Sequence, residues 1–298
     1  MRSPIDNGVH YHWLDNGKRL HLQHGPIDLV VEAVGDRDSV AQAYQHAHQV
    51  FQSVLTDLVN ELEQLRRPVT VVSTMPDGLV ARRMHSAAMR CCKLDTLTPM
   101  IAVAGSVADH VLQAMCSGIS LARAYVNNGG DIALWLAPEE SFTVGICENP
   151  ETGRISANVT ISAADKIQGI ATSGWRGRSH SLGIADAVTV LAGNAAEADT
   201  AATLIANAVD VPGSPHIHRE PACHLSPDSD LGKRPVTVAV DTLPENDVTY
   251  ALERGRLMAE QLRAMQLLSA AYIHLAGRSA VCEGKPSRQT LPAGAMHA

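Results

Sequence analysis

The segment Asn127-Asn128-Gly129-Gly130-Asp131 lies between two apolar runs. Paired glycines let a backbone approach a ligand closely, and successive N–H groups can form a concavity for an anion. Asp131 adds a carboxylate for a metal or a hydroxyl, although the same residues also suit a plain β-turn. A denser polar segment spans residues 171–183. It carries Thr172, Ser173, Ser179 and Ser181 with Gly174, Arg176, Arg178 and His180. Hydroxyls and arginine forks in a flexible frame suit phosphate or carboxylate recognition, and Trp175 offers a ring to stack on. Asp199 and Thr203 stand four residues apart, on one face of a predicted helix. A carboxylate and a hydroxyl so placed suit a hard cation such as Mg²⁺. Asp131, Ser179 and His180 are the candidate catalytic residues. Asn128, Gly129, Gly130, Thr172, Ser173, Gly174, Arg176, Arg178 and Ser181 are the candidate ligand contacts.

Other constellations compete. His216-Ile217-His218, followed by Cys223-His224, would place two histidines on one strand face for zinc or iron. A hydrolase would need Ser173, Ser179 or Ser181 as nucleophile and His180 or His218 as base, yet no GxSxG elbow is present. The six cysteines are scattered and include no CxxC pair, which fits reduced thiols in the cytoplasm rather than a disulfide framework. The vicinal Cys91-Cys92 pair suits either redox chemistry or simple helix packing.

Several elements must position these residues. His10–Leu14 and Lys18–Gln23 alternate around Asp15-Asn16-Gly17, a hairpin signature, and a third strand follows over Ile27–Ala33. Helical periodicity runs from Asp38 to Arg66, with Pro68 as a stop. Further helices are expected over Gly78–Lys93 and Val103–Met115. Strands are expected over Ala124–Asn127, Ile132–Ala137, Ser141–Cys147, Arg154–Ile161 and Ala185–Ala192, with a turn at 148–153. Asn194 is a natural N-cap for a helix to Asp210, with Glu197 placed to reach back. Residues 212–234 read as an ordered loop, Val236–Val240 as a strand, Val248–His274 as a last long helix, and 284–298 as a disordered tail. With no repeat and no linker, residues 1–283 read as one α+β domain, a mixed sheet with packed helices.

Composition narrows the class. Hydrophobic residues make up 45% and aromatics 3% of 298 residues, so the core must pack small aliphatic side chains. A net charge of −7 leaves no basic face for nucleic acid. No run reaches the roughly 18 apolar residues of a membrane span, and Met1–Asp6 shows no apolar signal region. The small-residue helix at 103–115 and the C-terminal helix suit either a core or a homodimer interface.

The order of Gly169-Ile170-Ala171-Thr172-Ser173-Gly174, the apolar strand near 186–191 and Ala198-Asp199-Thr200-Ala201-Ala202-Thr203 resembles the ApbE superfamily. Asn128-Gly129-Gly130-Asp131-Ile132 is similar to that family's GG[DE]I segment, and the likeness runs over about residues 10–275. The resemblance implies a T-fold-like architecture. It also implies FAD as a substrate whose pyrophosphate is broken with the help of Mg²⁺, FMN then passing to a protein threonine. By position, Asp199 and Thr203 would hold the metal, and the glycine turn and the ATSG segment would hold the ligand. The family's usual HxIxDPxTG segment is replaced here by Arg176–Gly183, which implies a branch with a different anionic ligand. An accessory protein of sulfur assimilation, either non-catalytic or handling sulfide or a thiol, is a further implication of that branch.

Overall fold

The computed structural model describes residues 8–149 and 154–283. The chain opens as β1 (Val9–Leu14), β2 (Arg19–His24) and β3 (Ile27–Val34). Asp15, Asn16 and Gly17 all take positive φ at the first turn, as the Asp-Asn-Gly sequence allows. Next come α1 (Arg37–Asn60), α2 (Leu62–Leu65), α3 (Leu79–Cys91) and α4 (Val103–Cys116). Then follow β4 (Arg123–Asn128), β5 (Asp131–Leu136), β6 (Ser141–Asn149), β7 (Arg154–Ser162), β8 (Gly169–Ser173) and β9 (Ala187–Ala192). The last part holds α5 (Ala195–Ala208), β10 (Ile217–Pro221), α6 (Ala222–Leu225), β11 (Pro235–Val240), α7 (Glu245–Ala264), β12 (Ala270–Leu275) and β13 (Arg278–Glu283).

Nine strands form one sheet in the order β1-β2-β3-β4-β5-β8-β9-β12-β13. The α+β reading holds, but every ladder of this sheet is antiparallel, where a mixed sheet was expected. Hairpins join β1 to β3, and the crossover from β9 to β12 contains two long helices. A single-helix βαβ unit would have returned a parallel strand. On the helix side lie two apolar clusters. One packs α1, α3 and α4 on β2–β5, and the other packs α5 and α7 on β8, β9 and β12. The β6–β7 hairpin covers part of the opposite face, with Phe142, Val144, Val159 and Ile161 clustered with Ile132, Leu134 and Ile170.

Four local expectations change. The helix expected to run to Arg66 breaks at Glu61 (φ −109°, ψ 9°). Its carboxylate accepts the Asp77 and Gly78 N–H groups at 2.7 and 2.8 Å, at the entry to α3. Glu61→Ala is expected to cost about 1 kcal/mol, measured by urea unfolding, because it removes the cap from a helix whose own N-cap residue is Gly78. The last helix ends at Ala264 rather than His274. Gln266 takes φ 58°, and the chain then switches to alternation, with Ala271, Ile273 and Leu275 buried. A leucine- and alanine-rich stretch hid that change of period. Residues 212–234 contain β10 and α6, and the polar segment at 171–183 begins within β8, which ends at Ser173. Asn194 does cap α5, accepting Glu197 N–H at 2.8 Å, while the Glu197 carboxylate turns away to Arg90. The expected turn at 148–153 falls largely, and the tail wholly, outside the described residues.

Candidate functional site

A cavity of about 1110 Å³ opens where β5 and β8 diverge after pairing over only two residue pairs. Its polar end begins with the β4–β5 turn. Gly129 and Gly130 take φ 65° and 114°, and Asn127 Oδ1 accepts the Gly130 N–H at 2.8 Å. A Cβ on Gly129 would lie 2.0 Å from Nη2 of Arg178, so glycine is what lets that guanidinium rest on the turn. Asn128 is buried, and its Nδ2 donates to the Ala104 carbonyl at 3.1 Å, tying the turn to the first residues of α4.

α4 and α5 cap each other. Asp109 of α4 accepts the Ala195 and Ala196 N–H groups, both at 3.0 Å. Asp199 of α5 accepts the Gly105 N–H at 3.1 Å. Both contacts put a carboxylate at a helix N-terminus, where free N–H groups and the helix dipole favour it. Asp199 nevertheless lies on the cavity lining with Asp131 and Thr203. Burial pushes its carboxyl up to about 7, helped by the charge of Asp109 and opposed by the α4 N–H groups. Asp131 is raised well above the usual carboxylate range, first by burial and then by Asp199, against the Thr172 N–H and Arg178. Two carboxylates thus face one cavity, and for Asp131 burial outweighs the charge of Arg178.

The far side of the polar end is β8 and the loop after it. Thr172 and Thr189 share a hydroxyl contact at 3.0 Å, and both line the cavity beside Ser173 and Gly174. The two loop arginines take different roles. Asp186 Oδ1 accepts from Arg176 Nε at 2.7 Å and from Trp175 Nε1 at 3.2 Å, while its Oδ2 accepts the Ala276 N–H at 2.7 Å. The Arg176 guanidinium lies 4.4 Å from the Trp175 ring centroid. Trp175, expected to offer its ring to a ligand, is half-buried and meets Arg176 and Asp186 instead, and Arg176 anchors the loop. Arg178 and Ser179 are exposed at the cavity mouth.

Two sequence candidates fall outside the lining. Ser181 is buried, receiving the Gly183 N–H at 3.2 Å and facing Asn207 Oδ1 at 3.4 Å, so its hydroxyl shapes the loop. His180 turns away, with Nε2 3.2 Å from Ser226 Oγ. The histidine-rich segment does not assemble either. His218 meets Asp241 at 2.9 Å, and among the described residues no group of three or more His, Cys, Asp or Glu surrounds a common point. Cys91 is buried on α3, and burial pushes it and Cys116 up to about 11, so both stay as poorly nucleophilic thiols at neutral pH.

Sequence reasoning missed the apolar end. Leu55, Leu58, Leu62 and Leu65 of α1 and α2, with Met84 of α3 and Val107 of α4, line the same cavity. Their helical spacing identifies an apolar stripe, and its leucines line the cavity on both sides of the break at Glu61. Thr189 was missed as well, being an isolated hydroxyl within an apolar strand.

No helix among the described residues is long and apolar enough to cross a membrane. The chain is 32% identical over 176 residues to a UPF0280 protein of Methanothrix thermoacetophila, covering 57% of this chain and 72% of that one. It is 38% identical over 113 residues to a UPF0280 protein of Methanopyrus kandleri, covering 37% and 42%. A third, from Methanosarcina acetivorans, is 30% identical over 189 residues, covering 62% and 65%. The apo form of Pseudomonas stutzeri flavinyl transferase ApbE superposes with a TM-score of 0.48 and 14% identity, over 93% of this chain and 95% of that one. The model of the family described as AbpE bacteria matches residues 11–281, and the chain belongs to that family.

Proposed function

We infer that this protein is a cation-assisted enzyme acting on an anionic small molecule with a sizeable apolar or ring-shaped body. The observation that carries the reading is one cavity with Asp131 and Asp199 at its polar end and a leucine-rich wall at its other end. A hard divalent cation fits the donor set. Asp131, Asp199 and the Thr203 hydroxyl are oxygen donors, and their raised carboxyls would gain a counter-charge. Bound there, Mg²⁺ would supply Lewis-acid stabilisation of charge on a phosphoryl or carbonyl oxygen.

The chain's own residues do the rest. Asp199 gives up its proton near neutrality and orients through the Gly105 N–H. The Gly129-Gly130 turn brings backbone close to the anion, and Arg178 adds a cation from the rim. Arg176, clamped by Asp186, keeps the loop in place. The apolar wall takes the body of the ligand and excludes water.

The sequence resemblance to the ApbE superfamily makes FAD the first substrate to test. Purified protein is incubated with FAD with and without Mg²⁺, beside Asp199→Asn, and the products are separated by chromatography. Mg²⁺-dependent appearance of AMP, lost in the variant, is the expected result. FAD left intact under every condition removes flavin pyrophosphate chemistry from this site. Mg²⁺ binding that is unchanged in Asp199→Asn removes the cation-assisted reading.

A further inference from the structure

A second constellation lies on the β1–β3 face, away from the cavity. His12 and His21 are directly opposed across the β1–β2 ladder. Their neighbours Tyr11 and Trp13 pack edge-on against His48 and Tyr44 of α1, so alternation turns both imidazoles to the other face of the sheet. The two Nδ1 atoms approach to 3.2 Å. On the far side of His21, Nε2 lies 2.9 Å from Asp28 Oδ1.

We propose that His12 and His21 form a two-imidazole site for a borderline divalent transition metal of the zinc class. The rings stand 4.4 Å apart between centroids and are tilted by 44°, so a small side-chain rotation of the exposed His12 brings both Nδ1 lone pairs onto one ion. A tetrahedral ion bound at 2.0–2.1 Å would hold them roughly 3.3 Å apart, close to the separation found. Asp28 accepts the opposite N–H of His21, which fixes the tautomer with Nδ1 as a lone-pair donor. A carboxylate behind a ligating histidine commonly plays this part. With His12 exposed and no third His, Cys, Asp or Glu gathered among the described residues, the protein supplies two ligands and leaves the other positions to solvent. A proton shared between the two nitrogens satisfies the same geometry, so metal and proton compete for one position. Bound metal would clamp the β1–β2 hairpin across its non-helical face.

The test is calorimetric titration of Zn²⁺ into the full chain after chelator treatment, comparing wild type with His12→Ala, His21→Ala and Asp28→Asn. With excess Mg²⁺ present to occupy the carboxylate site of the cavity, the wild type is expected to show one saturable equivalent of Zn²⁺. Either alanine variant is expected to weaken it at least tenfold, and Asp28→Asn by about 10–100-fold. His12 is exposed, so its replacement leaves the fold intact, and circular dichroism of the same sample checks this. Saturable Zn²⁺ binding of equal strength in wild type and His12→Ala, or none in the wild type, would overturn the proposal and leave a proton bridge alone.

Discussion

Asp199→Asn is expected to make the folded protein more stable at pH 8 while removing its response to Mg²⁺. The carboxyl of Asp199 titrates at about 7 in the fold, against an ordinary value of 3.8. Between about pH 4 and pH 7 the folded chain keeps a proton that the unfolded chain has released. Stability therefore falls as pH rises through that window and levels off above it. A shift of this size corresponds to about 2–4 kcal/mol lost by pH 8. Asparagine keeps the oxygen that accepts the Gly105 N–H but never ionises, so the loss disappears. Cation binding runs the other way, since Mg²⁺ needs the deprotonated form. Wild-type Mg²⁺ affinity should strengthen as pH rises toward 7 and change little beyond it. Unfolding curves at pH 5, 6, 7 and 8, with and without Mg²⁺, read both effects. A wild type and variant with parallel pH profiles would contradict the assignment. Asp131, raised in the same direction by burial and by Asp199, is expected to steepen the wild-type profile further.

Gly105→Ala is expected to destabilise the protein by about 3 kcal/mol or more. A Cβ at that position would lie 2.2 Å from the Ala195 carbonyl oxygen and 2.8 Å from the Ala196 nitrogen, where α4 crosses the start of α5. Both belong to the Ala195–Ala196 peptide unit, whose N–H donates to the buried Asp109 carboxylate, so neither can swing aside as a flexible side chain would. Relief requires the two helices to separate, and overpacking of a rigid contact is felt in full. The same separation would pull Asp199 from the Gly105 N–H and disturb the cavity. Urea unfolding should show a lower midpoint. The Mg²⁺ response should weaken as well, although Gly105 carries no ligating side chain. A variant as stable as wild type would mean that α4 and α5 slide past each other freely, contrary to the reciprocal capping seen here.

Much of the candidate site is legible in the order and type of its residues. The cavity gathers Asn128, Gly129, Gly130, Asp131, Thr172, Ser173, Gly174, Arg176, Arg178, Ser179, Asp199 and Thr203 from three separate stretches of chain. Each stretch announces itself by residue type: glycines with amides, clustered hydroxyls with arginines, and a carboxylate four residues from a threonine. The hairpin at Asp15–Gly17 and the Asn194 cap are equally plain, because their signals are local and need no partner.

What the sequence determined by itself was therefore chemistry and local geometry: which groups could bind an anion, where turns must fall and which helix begins at Asn194. Tertiary structure decided which of those groups share a space. Side-chain direction depends on partners far along the chain. Asp186 holds Arg176 and Trp175 in place, Ser226 draws His180 away, and Asn207 holds Ser181. The capping of α4 by Asp199 brings together residues 94 positions apart, a pairing no local spacing encodes. The apolar end likewise gathers Leu55 and Leu58 of α1, Leu62 and Leu65 of α2, Met84 of α3 and Val107 of α4 from stretches far apart in the chain. A leucine stripe reads the same in sequence whether it faces a core or a cavity, since the hydrophobic effect has no direction of its own.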